Sequence, residues 1–223
     1  MERQHSERAV QVSVEPGVVL EGNLIVPDGT QGVVLFAHGS GSSRHSPRNQ
    51  FVARVFNQAG LATLLIDLLT ADEEAVDIRT RQLRFDIALL ADRLAGAIDW
   101  LTRQNDTRAL NIGLFGASTG AGAALVAATL RPSFVSAVVS RGGRPDLAGA
   151  ALSNVQAPTL LIVGGEDVPV IAMNKQALQQ LRVTSQLEII PGATHLFEEA
   201  GTLEKAATLA KNWFIEHLTE ARV

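Results

Sequence analysis

The chain has 223 residues, 46% hydrophobic and 19% charged, which suits one α/β domain over residues 1–223 with ample material for a core. Its net charge of −4 carries no basic surplus, so nucleic acid is not an expected partner. The lack of cysteine excludes disulfides, a thiol nucleophile and Cys-ligated metal; tyrosine is absent too.

The opening "MERQHSERAVQVSV" has no apolar h-region, and no run of about 18 apolar residues follows. Neither a secretory signal nor a membrane span is expected, and the protein reads as soluble and cytoplasmic. "AVQVSV" and "VVLEGNLIV" predict a hairpin around the turn Glu15-Pro16-Gly17, antiparallel to the rest of the sheet. "GVVLFAHG" (32–39) is a continuous apolar run, as a strand buried on both faces requires. A helix over 47–59 ends at Gly60, and "LATLLID" (61–67) is the next strand. The acidic stretch 68–78 reads as an irregular loop. Leu83, Ile87, Leu90, Leu94, Ile98 and Leu101 then recur on one face of a long helix. "LNIGLFG" (110–116) predicts a strand and 119–130 an Ala/Gly-rich helix. Strands at 134–140, 158–164 and 186–192 follow, with helices near 169–182 and 201–219. Strand–helix alternation predicts a parallel sheet of about eight strands with helices on both faces. The longest unassigned loops, 68–78 and 141–153, are too short for a separate cap domain.

"LFGASTGAG" (114–122) sits between a predicted strand and a predicted helix. Read as G-x-S-x-G it gives Gly116, Ser118 and Gly120, a nucleophile elbow. Read as G-x-x-x-G-x-G it resembles the cofactor loop of short-chain dehydrogenases. A dinucleotide fingerprint normally follows the first strand of its fold, and here about five strands precede it. The tyrosine of the dehydrogenase Y-x-x-x-K pattern is missing as well. No G-x-x-x-x-G-K-[ST] loop is present. The elbow reading therefore leads, with Ser118 as nucleophile. A helix N-cap serine would also suit that position.

A serine hydroxyl needs a base, and the base needs an orienting acid. Asp167 follows strand 158–164 in "GGEDVPV", and His195 follows strand 186–192 in "PGATHLFEE". Ser118, Asp167 and His195 thus run in the order of this fold and leave the sheet at one edge. Glu166 and Asp146 rival Asp167, which could instead be a loop-capping residue. A histidine with pKa near 6.5 can both accept and return a proton at neutral pH.

On "HGSGSS", "GASTG", "GGEDVPV" and "GATHLF", the chain resembles the α/β-hydrolases, in particular the small, capless dienelactone-hydrolase-like group, over about residues 9–219. The resemblance implies an α/β-hydrolase fold and acyl hydrolysis without metal or organic cofactor. Dienelactone hydrolases proper carry a Cys nucleophile and a Glu after the strand equivalent to 32–37. Here stand Ser118 and His38-Gly39-Ser40, which favour ester or related acyl hydrolysis over lactone chemistry.

The oxyanion hole is expected from the backbone N–H groups of Ser40 and Thr119, the latter helped by its helix dipole. His38 is expected to shape that loop; a His38/His45 metal pair lacks carboxylate partners. Arg44 and Arg141 are candidates for an anionic substrate group, since a guanidinium fork suits carboxylate or phosphate. Surface ion pairing with Asp72, Glu73, Glu74 and Asp146 is the plainer alternative. A thioesterase, acyltransferase or peptidase would use the same residues, and a non-catalytic binding module would use none of them. The expected partner is a small acyl substrate. An exposed sheet edge permits a homodimer without requiring one.

Overall fold

A strand buried on both faces has no place for polar side chains, and the central strands are written accordingly. In the computed structural model, which describes residues 7–219, every residue is buried in β3 (Gly32–Ala37), β4 (Ala62–Ile66), β5 (Asn111–Ala117) and β7 (Thr159–Gly164). In β6 (Val135–Arg141) only Ser136 departs from that pattern. β1 (Arg8–Glu15), β2 (Val18–Ile25) and β8 (Ser185–Ile190) keep solvent-facing residues, as strands near the edges can.

The eight strands form one sheet in the order β1-β2-β4-β3-β5-β6-β7-β8. β2 is antiparallel to both β1 and β4, and every other pairing is parallel. The expectation that the whole first hairpin opposes the sheet is therefore corrected. The chain reverses once at Gly17, where φ is 79°, so the two hairpin strands cannot both oppose the rest.

Helices cover both faces. α1 (Pro47–Gln58) and α6 (Thr202–Leu218) close one face over Val34, Phe36 and Phe115. There Phe36 and Phe115 lie 4.9 Å apart between ring centres, and Phe56 meets Phe214 edge-on at 5.5 Å. α3 (Ile87–Leu101), α4 (Thr119–Leu130) and α5 (Val168–Gln180) close the other, over Leu35, Leu64 and Leu114. α4 is buried along most of its length, between α3 and the 3₁₀ stretch Pro145–Asn154, which is why it consists largely of alanine and glycine.

Two segments differ from the sequence reading. The stretch read as an irregular acidic loop is a helix, α2 (Ala71–Thr80). Thr70 caps it: its hydroxyl accepts from the Glu73 N–H, and the Glu73 carboxylate accepts from the Thr70 N–H. The long helix begins at Ile87, because Asp86 caps it by accepting from Leu89 N–H at 3.0 Å. Leu83 belongs to a separate 3₁₀ turn, Leu83–Phe85. Arg79 and Arg81 accordingly lie at the end of α2. Among the described residues, no helix is long and apolar enough to cross a membrane.

Candidate active site

Ser118 joins β5 to α4 with φ 51° and ψ −124°, a conformation that costs a non-glycine residue about 1–3 kcal/mol. The turn closes because its neighbours have no side chains. A Cβ on Gly116 would fall 2.8 Å from Ala121 N, and one on Gly120 2.5 Å from His38 O. The Ser118 side chain makes no capping bond to its own helix. That sets aside the N-cap alternative and leaves the hydroxyl for other chemistry.

Asp167 and His195 follow β7 and β8, whose ends lie beyond β6 on the same edge of the sheet. His195 Nδ1 lies 2.6 Å from Asp167 Oδ2, and Asp167 makes no helix-capping bond. The His195 loop is held from within: the Glu199 carboxylate accepts from Thr194 N–H at 3.0 Å and from its hydroxyl at 2.7 Å. These hydrogen bonds, the Thr194 hydroxyl first, hold the Glu199 carboxyl below its ordinary pKa. The two loops also meet through Glu166 N–H donating to Ala193 O at 3.0 Å. The Glu166 residue itself is exposed. Asp146, the other rival acid, is engaged by Arg144 at 2.7 and 2.8 Å. Gly142 lies against the imidazole, since a Cβ there would stand 3.8 Å from His195 Cε1. Its predecessor Arg141 accepts at its carbonyl from Ser118 N–H at 3.4 Å. The three candidate residues thus gather around the ends of β5, β6, β7 and β8.

The loop after β3 forms the other wall. A Cβ on Gly39 would fall 3.0 Å from Ser118 Cβ, so this loop touches the serine. His38 fixes it: Nε2 accepts from Leu68 N–H at 3.1 Å while Nδ1 lies 2.9 Å from Gly39 O. That pairing requires the neutral ring with its proton on Nδ1, and burial lowers the His38 pKa accordingly. Both ring nitrogens are thereby occupied. Thr119, as the first residue of α4, has an N–H with no intrahelical acceptor. Ser40 N–H, the other expected oxyanion donor, donates to the Thr119 hydroxyl at 2.9 Å.

The two candidate arginines, Arg44 and Arg141, and two others, Arg84 and Arg144, separate by partner. Arg44 is ion-paired with Asp67 and donates from Nε to Asn23 at 3.2 Å. Its backbone N–H also donates to Asp67, at 2.7 Å, so Arg44 ties its loop to β4 and β2. Arg144 holds Asp146. Arg84, which sequence reasoning passed over, grips the fully buried Asp77. Burial alone would raise the Asp77 pKa. Hydrogen bonds from the Arg84 side chain and from Arg84 and Leu83 N–H outweigh it, and the carboxyl is held below its usual range. Arg141 has no carboxylate partner among the described residues and is 7% exposed.

A cleft opens beside the loop after β3, lined by Ser40, Thr119, Leu69, Glu74, Arg84 and Leu90 among others. Glu74 belongs to α2 and Arg84 to the following 3₁₀ turn. The segment read as an unassigned loop therefore builds one wall of the cleft. The signal was present in Thr70-x-x-Glu73, the capping-box spacing.

The profile of the Dienelactone hydrolase family matches residues 20–221. A crystal structure of dienelactone hydrolase from Anabaena variabilis is 65% identical, with a TM-score of 0.95, over 97% of this chain and 100% of that one. A dienelactone hydrolase-like promiscuous phosphotriesterase from metagenomic libraries has a TM-score of 0.77 over 96% of this chain and 98% of that one. At 19% identity it shares the fold alone. Two Mycobacterium tuberculosis proteins (strains CDC 1551 / Oshkosh and ATCC 25618 / H37Rv), each named "Putative phosphoribosyl transferase", are 58% identical over 212 residues. Those residues are 95% of this chain and 47% of each relative, so the chain spans about half their length.

Proposed function

This chain belongs to the dienelactone hydrolase family, and from that premise we propose that it is a serine hydrolase cleaving a small carboxylic ester or related acyl bond through an acyl-enzyme on Ser118. The observation that carries the reading is the Asp167–His195 contact of 2.6 Å, set at the same sheet edge as a serine held at φ 51°.

With Nδ1–H donated to Asp167, the His195 Nε2 lone pair is free to act as base. It takes the proton of Ser118 Oγ as Oγ bonds to the acyl carbon, and the carbonyl π electrons move onto oxygen. The N–H groups of Thr119 and Ser40 receive that oxyanion. Ser40 N–H rests on the Thr119 hydroxyl at 2.9 Å, so the incoming oxygen draws this donor away from it. Collapse of the intermediate expels the alcohol, which leaves with the proton from His195. Water, deprotonated by His195, then attacks the acyl carbon, and collapse of this second intermediate releases the carboxylic acid as Ser118 Oγ leaves and regains its proton from His195. No step calls for a metal or organic cofactor.

A thioesterase, acyltransferase or peptidase would differ only in leaving group or acceptor. The phosphoribosyl transferase name belongs to relatives of which this chain covers 47%, and we do not carry it over to this chain. Labelling with a fluorophosphonate, located by peptide mass spectrometry, tests the proposal. An adduct on Ser118, lost in Ser118→Ala, is expected. A folded protein without an adduct would leave a binding module as the better reading, and ester and thioester panels then separate the hydrolases.

A further inference from the structure

Burying a guanidinium without a counter-charge is costly, and a buried cation normally has a carboxylate or a ligand beside it. Arg141, at the end of β6, has no carboxylate partner among the described residues. It is 7% exposed, and its Nη2 donates to Asn49 Oδ1 at 3.3 Å. Its Nη1 is buried without any hydrogen-bond partner. The guanidinium carbon lies 5.7 Å from the centre of the Phe115 ring and 6.0 Å from that of Phe197. These rings shield the charge from water but satisfy no N–H donor.

The nearest charge makes matters worse. Burial first, then the neighbouring Arg48, lowers the Arg141 pKa to about 10, so the group remains a cation at neutral pH. Arg48 has its own buried, unpartnered Nε. Its Nη1 reaches only the exposed Glu198, at 3.5 Å. Both Arg48 and Asn49 stand in the first turn of α1, at the positive end of the helix dipole, in a turn with no acidic residue. Two orphaned donors, two like charges and no buried carboxylate make a local excess of positive potential. The site adjoins the reaction centre: the Arg141 carbonyl accepts from Ser118 N–H, and Gly142 and Phe197 flank His195.

We propose that Arg141 and Arg48 form a subsite for a single oxyanion, a carboxylate or phosphate borne by the substrate, beside Ser118 and His195. Its assignment to the substrate rests on the serine-hydrolase reading; anion binding itself does not. The Arg48–Glu198 contact is long, at 3.5 Å, and Glu198 is exposed, so the entering oxyanion displaces Glu198 as the partner of Arg48.

Thermal unfolding of the intact protein is measured in inorganic phosphate and in acetate, against chloride at matched ionic strength. At about a hundredfold its Kd, a bound anion raises Tm by roughly 5–10 °C in a chain of this size. Arg141→Met should abolish the shift, and Arg48→Gln should weaken it at least tenfold in anion concentration. Whichever anion shifts Tm more identifies the class. The stabilising anion should also inhibit hydrolysis of a neutral ester competitively; inhibition without competition overturns the assignment to the substrate. No anion-specific shift in the wild type, as from a site that takes only water, overturns the subsite without any variant. So does an equal shift in wild type and Arg141→Met. Fluorophosphonate labelling of Ser118 is read separately, so failure of one reading is distinguishable from failure of the other.

Discussion

At the scale of single residues, the site combines strain with locked orientation. Ser118 keeps its hydroxyl off its own helix at the cost of an unfavourable backbone, which the close contacts at Gly116 and Gly120 enforce. Gly120→Ala should therefore be severely destabilising, since its new Cβ would meet the carbonyl of His38, and circular dichroism melting checks it. Asp167→Asn would present His195 with an amide and disturb its tautomer. A loss of kcat of about 10⁴-fold is expected with little change in Tm. A loss under tenfold would move the acid role to Glu166. His38 gives a pH dependence. Its folded-state pKa is lowered from 6.5, so below that pH unfolded chains bind a proton that the folded protein refuses. This group leaves stability flat above pH 6.5 and lowers it as the pH falls. His38→Gln, whose amide oxygen can still accept from Leu68 N–H, should flatten the acid side of a Tm–pH curve; an unchanged curve would rule His38 out as the titrating group.

At the scale of elements, α2 shows how a charged segment can be read wrongly. Its acidic first turn, Asp72, Glu73 and Glu74, suggests a solvated loop, yet acidic residues at a helix N-terminus favour the helix dipole. Asp77 is buried and takes three donors from the turn that follows, which ties α2 to the wall of the cleft. Arg93 of α3, 5% exposed, pairs with Glu73 as well as with Glu15 of the first hairpin. Thr70→Ala removes the cap and should cost about 1 kcal/mol. The loss should be local: faster amide exchange over Ala71–Thr80 and a raised KM, with kcat nearly unchanged. Uniformly faster exchange across the sheet would mean that α2 belongs to the global folding unit.

At the scale of the whole molecule, the sheet separates two apolar layers, and the candidate residues Ser118, Asp167 and His195 all stand at one edge of it. The layer under α1 and α6 is rich in aromatic rings, with Phe214 wholly buried against Phe56. Phe214→Ala should cost about 3–5 kcal/mol, lowering Tm by roughly 6–20 °C. The folded fraction should still label at Ser118, because α6 supports the sheet from a face and does not form the edge. Loss of labelling at temperatures where the variant is folded would show that α6 packing sets the site.

The sequence alone determined the order of the strands and of every α-helix but α2, the two-sided burial of the central strands and the elbow at Ser118. Each of these is written locally, in apolar runs, in small residues flanking a serine, and in the spacing of loops along the chain. The order Ser118, Asp167, His195 was legible for the same reason: a parallel sheet brings consecutive strand ends to one edge whatever the intervening helices contain. Only the tertiary structure decided which arginines are free. Arg44 finds Asp67, Arg84 finds Asp77 and Arg144 finds Asp146, while Arg141 ends among Phe115, Phe197 and Asn49. Charge pairing at distances of a few ångströms depends on which side chains the packing brings together, and neither composition nor periodicity encodes that.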